Sequence, residues 1–225
     1  ILETIILIWA MRKRQKNNAP YGGKGIPSIA FVVDGKTEEW YFKLMREAEE
    51  LDVSFKFPSV KSDDITNFEE DIEDLLDSGY DKVFWIVDMD VVAKNQRVRN
   101  DNVYQLQFKK VLKVVDKHRE KVVFLVNNPC LEFWYLLHVK DTQRYYPDYK
   151  QLLEELHKDR GFLGQYEKTD KFYHSGDGLY KKLRKDMDVA MERAKKLKTF
   201  DGKDFERAYA EIHIAIEDIL KLRAH

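Results

Sequence analysis

A single cysteine, Cys130, among 225 residues leaves no internal disulfide to be formed. Such a chain suits a reducing compartment, and a cytoplasmic location is expected. No run of about 20 apolar residues exists, so no segment of the sequence reads as a membrane span. Charge of one sign is also missing. Lys and Arg number 39 and Asp and Glu 40, for a net charge of -1, which removes overall basicity as a reason to infer nucleic-acid binding. Internal repeats and low-complexity tracts are absent too. Gly35-Lys36-Thr37 resembles the tail of a phosphate-binding P-loop, but Ala30 stands where that loop needs its first glycine, and the residues between are strand-like.

At 44% hydrophobic and 13% aromatic the chain can bury a substantial core. Residues 1–10 are apolar apart from Glu3 and Thr4, and the basic run Arg12-Lys13-Arg14 follows them, the reverse of a signal peptide. Met11 looks like a natural start, and the residues before it receive no function. Residues 17–27 are polar and glycine-rich, a lead-in to the first strand. Apolar runs predict strands over 28–33, 53–60, 82–87 and 121–126. Helical patterns fall over 37–51, 64–77 and 102–118, with Thr37 as the first N-cap. Asn128-Pro129 reads as the cap and first position of a short, almost wholly apolar helix over 130–138. After residue 141 the pattern is helical, with loops over 145–147 and 169–178 and last helices over 179–198 and 204–223.

Strands alternating with helices predict an α/β fold with a mainly parallel sheet and right-handed crossovers. The expectation is a Rossmann-like four-stranded sheet flanked by helices, strands ordered 2-1-3-4, with a C-terminal helical extension. The chain divides accordingly into a lead-in (1–27), an α/β core (28–140) and a helical region packed on it (141–225).

Ligands of such sheets bind beyond the carboxyl ends of the strands, and carboxylates collect there. Asp34 and Glu38 follow strand one. Asp88 and Asp90 end strand three, on one side of it if the backbone stays extended. Glu132 follows strand four inside Cys130-Leu131-Glu132-Phe133-Trp134-Tyr135. A buried carboxylate in that run needs a partner, either a metal or a lysine. Carboxylates so placed suit Mg²⁺ or Mn²⁺, which prefer oxygen ligands. Residues 62–90 hold eleven acids and one base, whereas residues 168–198 hold ten bases and five acids. The second stretch, with Lys168, Lys171, Lys181, Lys182, Arg184 and Lys185, could track a phosphate backbone or simply be a solvated helix surface. His138 reads as structural.

Asp34-Gly35-Lys36-Thr37-Glu38 with Trp40-Tyr41-Phe42, then Asp88-Met89-Asp90, then Asn128-Pro129-Cys130-Leu131-Glu132-Phe133-Trp134 together resemble the RloB family over roughly residues 11–198. That family is associated with prokaryotic restriction and phage-defence clusters and is related to Toprim domains. The resemblance implies a Toprim metal centre. Asp34 and Glu38 would form its first pair, Asp88 and Asp90 its second, and Cys130 with Glu132 its third, with Lys168 as the later lysine. Glu38, Asp88 and Lys168 would be catalytic, and two Mg²⁺ or Mn²⁺ ions would be held. The family normally has glutamate where Asp34 stands, and the shorter side chain would reach a metal through water or weaken the site.

Three functions remain open on the sequence. The first is a metal-dependent nuclease acting on DNA or RNA, with an ATPase subunit of the same defence system as a compatible partner and a homo-oligomer allowed. The second is a non-enzymatic subunit that binds a nucleotide or protein and keeps a degenerate metal site. The third is a haloacid-dehalogenase-type phosphatase. Asp88-Met89-Asp90-Val91-Val92 fits that motif, but it ends the third strand rather than the first, and no Asp-Asp pair follows it.

Overall fold

Successive side chains of a strand point to opposite faces, so an uninterrupted apolar run must bury both. Three such runs become β1 (Ser28–Val32), β3 (Lys82–Asp88) and β4 (Val122–Asn128), while the strand expected over 53–60 is only β2 (Ser54–Lys56), in which Phe55 alone is buried. They are seen in a computed structural model, which describes residues 26–33, 35–58, 68–90, 92 and 103–222. Asp34, residues 1–25 and the expected start of the acidic helix lie outside the described residues. The strands pair in parallel, with Val32 opposite Trp85 and Asp88 opposite Asn127. β1 and β3 are neighbours, as the 2-1-3-4 order requires.

The sheet has five strands rather than four and is mixed. β5 (Tyr209–Ala210) runs antiparallel to β4, completing the order β2-β1-β3-β4-β5. Residues 204–223 were expected to be one helix; the helix spans only Ile212–Leu220. The Asn128 side chain explains the difference. Its Nδ2 donates to the carbonyls of Phe205 (2.9 Å) and Arg207 (2.7 Å), which ties that segment to the end of β4. Asn128 therefore does not cap the next helix, which begins at Glu132 with Leu131 at its N-cap position and no side-chain cap. Thr37 is likewise not a cap. Gly35 precedes the first helix, and Thr37 Oγ1 donates to Glu38 Oε2 at 3.0 Å instead.

The helices are α1 (Lys36–Ala48), α2 (Phe68–Asp77), α3 (Val103–Lys117), α4 (Glu132–Val139), α5 (Tyr149–Leu156), α6 (Asp170–His174), α7 (Gly178–Arg184), α8 (Met187–Lys195) and α9 (Ile212–Leu220). A 3₁₀ turn spans Phe162–Gln165. Two differences stand out in the C-terminal region. The expected helix over 179–198 is broken into α7 and α8. The loop expected over 169–178 contains α6, whose N-cap Thr169 accepts the Phe172 N–H through Oγ1 at 3.3 Å.

Strand alternation divides the core in two. Ala30, Val32, Val83, Trp85, Val87, Val122 and Val126 face α2 and α3. Ile29, Phe31, Phe84, Ile86 and Leu125 face α1, α4 and the C-terminal helices. α7 packs on α1 and α8 on α4, so the buried Tyr166, Tyr173, Tyr180 and Ala190 belong to the same cluster as Tyr41 and Trp134. A hydrogen bond from Trp134 Nε1 to Tyr41 Oη (3.0 Å) ties α4 to α1. No helix among the described residues is long and apolar enough to cross a membrane.

Candidate functional site

Parallel strands all end at one edge, so the residues that follow β1, β3 and β4 meet there. Glu38 lies in the first turn of α1 and is 2% exposed. Asp88 is the last residue of β3 and is also buried. Its Oδ1 accepts from Asn127 Nδ2 and its Oδ2 from the Leu131 N–H, both at 3.3 Å. The strand runs one residue further than expected and carries Asp88 with it. The backbone then turns helical at Met89 and Asp90. The extended backbone, on which residues two apart share one side of a strand, therefore ends at Asp88. Asp90 is instead set by its backbone, whose N–H donates to the Pro129 carbonyl at 3.0 Å.

Glu132 is completely buried at the start of α4. Its Oε1 accepts from Tyr166 Oη at 2.7 Å and pairs with Lys168 Nζ at 3.3 Å. Of the two partners read for it from sequence, metal or lysine, the lysine is present. The other oxygen, Oε2, is buried and meets no N–H or O–H donor among the described residues. Behind Tyr166 runs a chain of hydroxyls. Tyr166 Oη lies 3.0 Å from Tyr173 Oη, which lies 3.0 Å from Tyr135 Oη. Burial pushes all three tyrosines up, and the Glu132 charge adds to the effect. They therefore stay protonated and able to donate.

Electrostatics links these groups into one site. Partial burial works against the Lys168 charge, but Glu132, Glu38 and Asp88 outweigh it and raise the Lys168 pKa. The ammonium also sits 5.3 Å from the centre of the Tyr149 ring. Tyr149 itself is pushed up to about 12, by burial first and then by Glu132. Cys130 is the small residue beside the carboxylates. Burial raises its thiol pKa well above the ordinary value, helped by Glu132, Asp88 and Asp90, so it is no thiolate nucleophile. His138 is pushed down to about 4 by burial, with Nδ1 donating to the Trp134 carbonyl at 3.0 Å. It plays a structural part in α4.

The structure thus brings Glu38, Asp88, Asp90, Cys130, Glu132 and Lys168 to one edge of the sheet, while Asp34 lies outside the described residues. The basic residues do not share one role. Lys171, Lys181 and Lys185 are exposed. Arg184 is held by Glu49, Nε to Oε1 at 2.7 Å, beside Tyr180 Oη on the same oxygen at 2.7 Å. Lys182 Nζ donates to the Ser175 carbonyl at 3.1 Å. Asn127, Tyr149 and Tyr166 escaped the sequence reading. Two adjacent asparagines ending an otherwise apolar strand were the available signal for Asn127, since a buried amide there must find partners. The tyrosines gave no signal, because their use depends on which side of a helix packs inward.

The chemistry of the set suits a divalent cation, which would satisfy Oε2 of Glu132, a carboxylate whose neighbour in the site is the weakly donating Cys130 thiol. As they stand, no three described His, Cys, Asp or Glu side chains are gathered closely enough to hold one ion. Carboxylates without a cation between them repel, and here Lys168 lies against Glu132.

A family model described as RloB-like protein matches residues 29–219. No curated protein and no solved structure matches the chain.

Proposed function

Because this chain belongs to the RloB-like family, and because its buried acids collect at the carboxyl ends of β1, β3 and β4, we propose that it is a Mg²⁺- or Mn²⁺-dependent nuclease of Toprim type. It would hydrolyse phosphodiester bonds of DNA or RNA in a prokaryotic defence system, with an ATPase subunit as a compatible partner. The observation that carries this reading is Glu132. A buried carboxylate oxygen without an N–H or O–H donor costs about 1–3 kcal/mol even when its partner oxygen is paired. A site that keeps such an atom beside Asp88 and Glu38 is poised for a cation.

Glu38, Asp88, Asp90 and Glu132 would hold the ions, with Asp34, which follows β1 in the sequence, completing the set. When bound, the two ions supply Lewis acidity to the phosphodiester and activate a water at neutral pH. The protein's own residues do the rest. Asn127 and the Leu131 N–H fix both oxygens of Asp88. Tyr166 fixes Oε1 of Glu132, and Oε2 is left without an N–H or O–H donor among the described residues. Lys168, held charged by its acidic neighbours, offsets negative charge building on the phosphate oxygens.

The Lys168–Glu132 ion pair favours a second reading, in which the lysine takes the place of the cation and the chain is a binding subunit without activity. One substitution separates the two. Asp90→Asn keeps size but removes a charge. In the nuclease, Mn²⁺ raises the melting temperature of the wild type and raises that of the variant less, and the variant loses metal-dependent cleavage. Equal shifts for both proteins, with no cleavage by the wild type under any divalent metal, would sink the nuclease and leave the binding subunit.

A further inference from the structure

A cleft of about 570 Å³ opens beside the carboxylate site, within the roughly 300–1,000 Å³ range of small-ligand pockets. Phe162, Tyr166 and Phe172 supply aromatic surface to it, and Lys171 and Lys182 supply positive charge; Glu167 is the one acid on its lining. Phe162 and Phe172 are half-buried, anchored in the core along one edge. Phe172 packs edge-on against Tyr166, ring centres 5.2 Å apart, and the Lys182 ammonium lies 5.7 Å from the centre of the Phe162 ring.

The cleft and the carboxylate site are two faces of one segment. Tyr166 and Glu167 line the cleft, the next residue, Lys168, pairs with Glu132, and Lys171 and Phe172 line the cleft again. Tyr166 belongs to both, since its hydroxyl donates to Glu132. Aromatic rings in a recess, with ammonium groups beside them, match the chemistry of an unstacked nucleobase and its flanking phosphates. A base paired inside a duplex presents no open face to such rings.

We propose that this cleft is a nucleobase subsite, which seats one unpaired base of single-stranded nucleic acid next to the carboxylate site. The proposal rests on the nuclease reading for its substrate class and extends it to strandedness. Phe162 and Phe172 hold the base, Lys171 and Lys182 hold phosphates on either side, and the chain then passes Tyr166 toward Lys168 and Glu132.

The test is binding in EDTA, where no turnover interferes. Fluorescein-labelled single strands of DNA and of RNA, each about 12 nucleotides, are compared with matched duplexes by anisotropy. Single strands should bind at least tenfold more tightly than duplexes, and the DNA and RNA arms identify which strand is preferred. Phe162→Leu with Phe172→Leu keeps apolar bulk but removes the ring faces. It should weaken single-strand binding about tenfold, near the low end of the stacking range, and leave duplex binding and the Mn²⁺-induced thermal shift as in wild type. Lys171→Glu with Lys182→Glu, on the surface of the cleft, should lower the salt slope of single-strand binding by about 1.4, at about 0.7 per phosphate. Equal affinity for single and double strands, or single-strand binding unmoved by both variants, overturns the subsite. These outcomes are separate from the nuclease test. Cleavage with insensitive phenylalanines refutes the cleft alone, whereas phenylalanine-dependent binding without a Mn²⁺ shift refutes the metal site alone.

Discussion

Tyr166 shows how one side chain can decide the state of a site. It donates at 2.7 Å to a carboxylate with no exposure to water, and hydrogen bonds to charged groups contribute about 1.5–3 kcal/mol. Tyr166→Phe should therefore lower unfolding free energy by about that amount in urea denaturation. Calorimetric Mn²⁺ affinity should fall with it, because Glu132 loses the donor that orients it. Wild-type affinity in the variant would show that Lys168 orients the carboxylate unaided. Glu132 was legible in sequence as a buried acid in want of a partner. Its lysine was legible only through a family pattern, because residues 132 and 168 meet through folding and through no local rule.

Among the elements, the short β5 and the start of α9 depend on Glu211. This buried carboxylate accepts the N–H of Val126 at 2.8 Å and of Phe200 at 2.6 Å. Burial pushes it up to about 7, against the pull of those two donors. A folded pKa above the unfolded one means the neutral form is favoured by folding. The contribution is complete below the unfolded value near 4.5 and is lost as pH rises through about 7. Glu211→Gln removes that titration. It should be less stable than wild type at pH 5, and the gap should shrink by up to about 3 kcal/mol by pH 8, read from urea midpoints at each pH. A constant gap would mean that Glu211 titrates normally. Local pattern could not reveal β5, since two residues carry no periodicity and the pairing is imposed by Asn128 and the edge of β4.

At the scale of the molecule, the division between an α/β core and a helical region is one of sequence order, not of separate cores. Leu152, Leu156, Leu163, Leu179, Leu183, Ile212, Ile216 and Ile219 are all essentially inaccessible and lie in the cluster that covers β1 and β3. Each such burial stabilises by about 1.5–3 kcal/mol, and together they match or exceed a typical net stability of about 5–15 kcal/mol. A chain ending at residue 140 should consequently show no cooperative unfolding transition by calorimetry. A sharp transition in that fragment would establish an independent α/β domain.

Strand and helix identity, the 2-1-3 neighbourhood of the acidic strand ends and the burial of Glu132 follow from the sequence itself, because period, apolar run length and the edge of a parallel sheet are local or topological properties. Tertiary structure alone decided the rest. The backbone turns helical at Met89, and the Asp90 N–H is taken by the Pro129 carbonyl. Asn128 spends its amide on residues 205–207 instead of a helix cap, and Arg184 is taken by Glu49. Each of these is a choice among partners far apart in the chain, settled by which buried polar group would otherwise go unsatisfied.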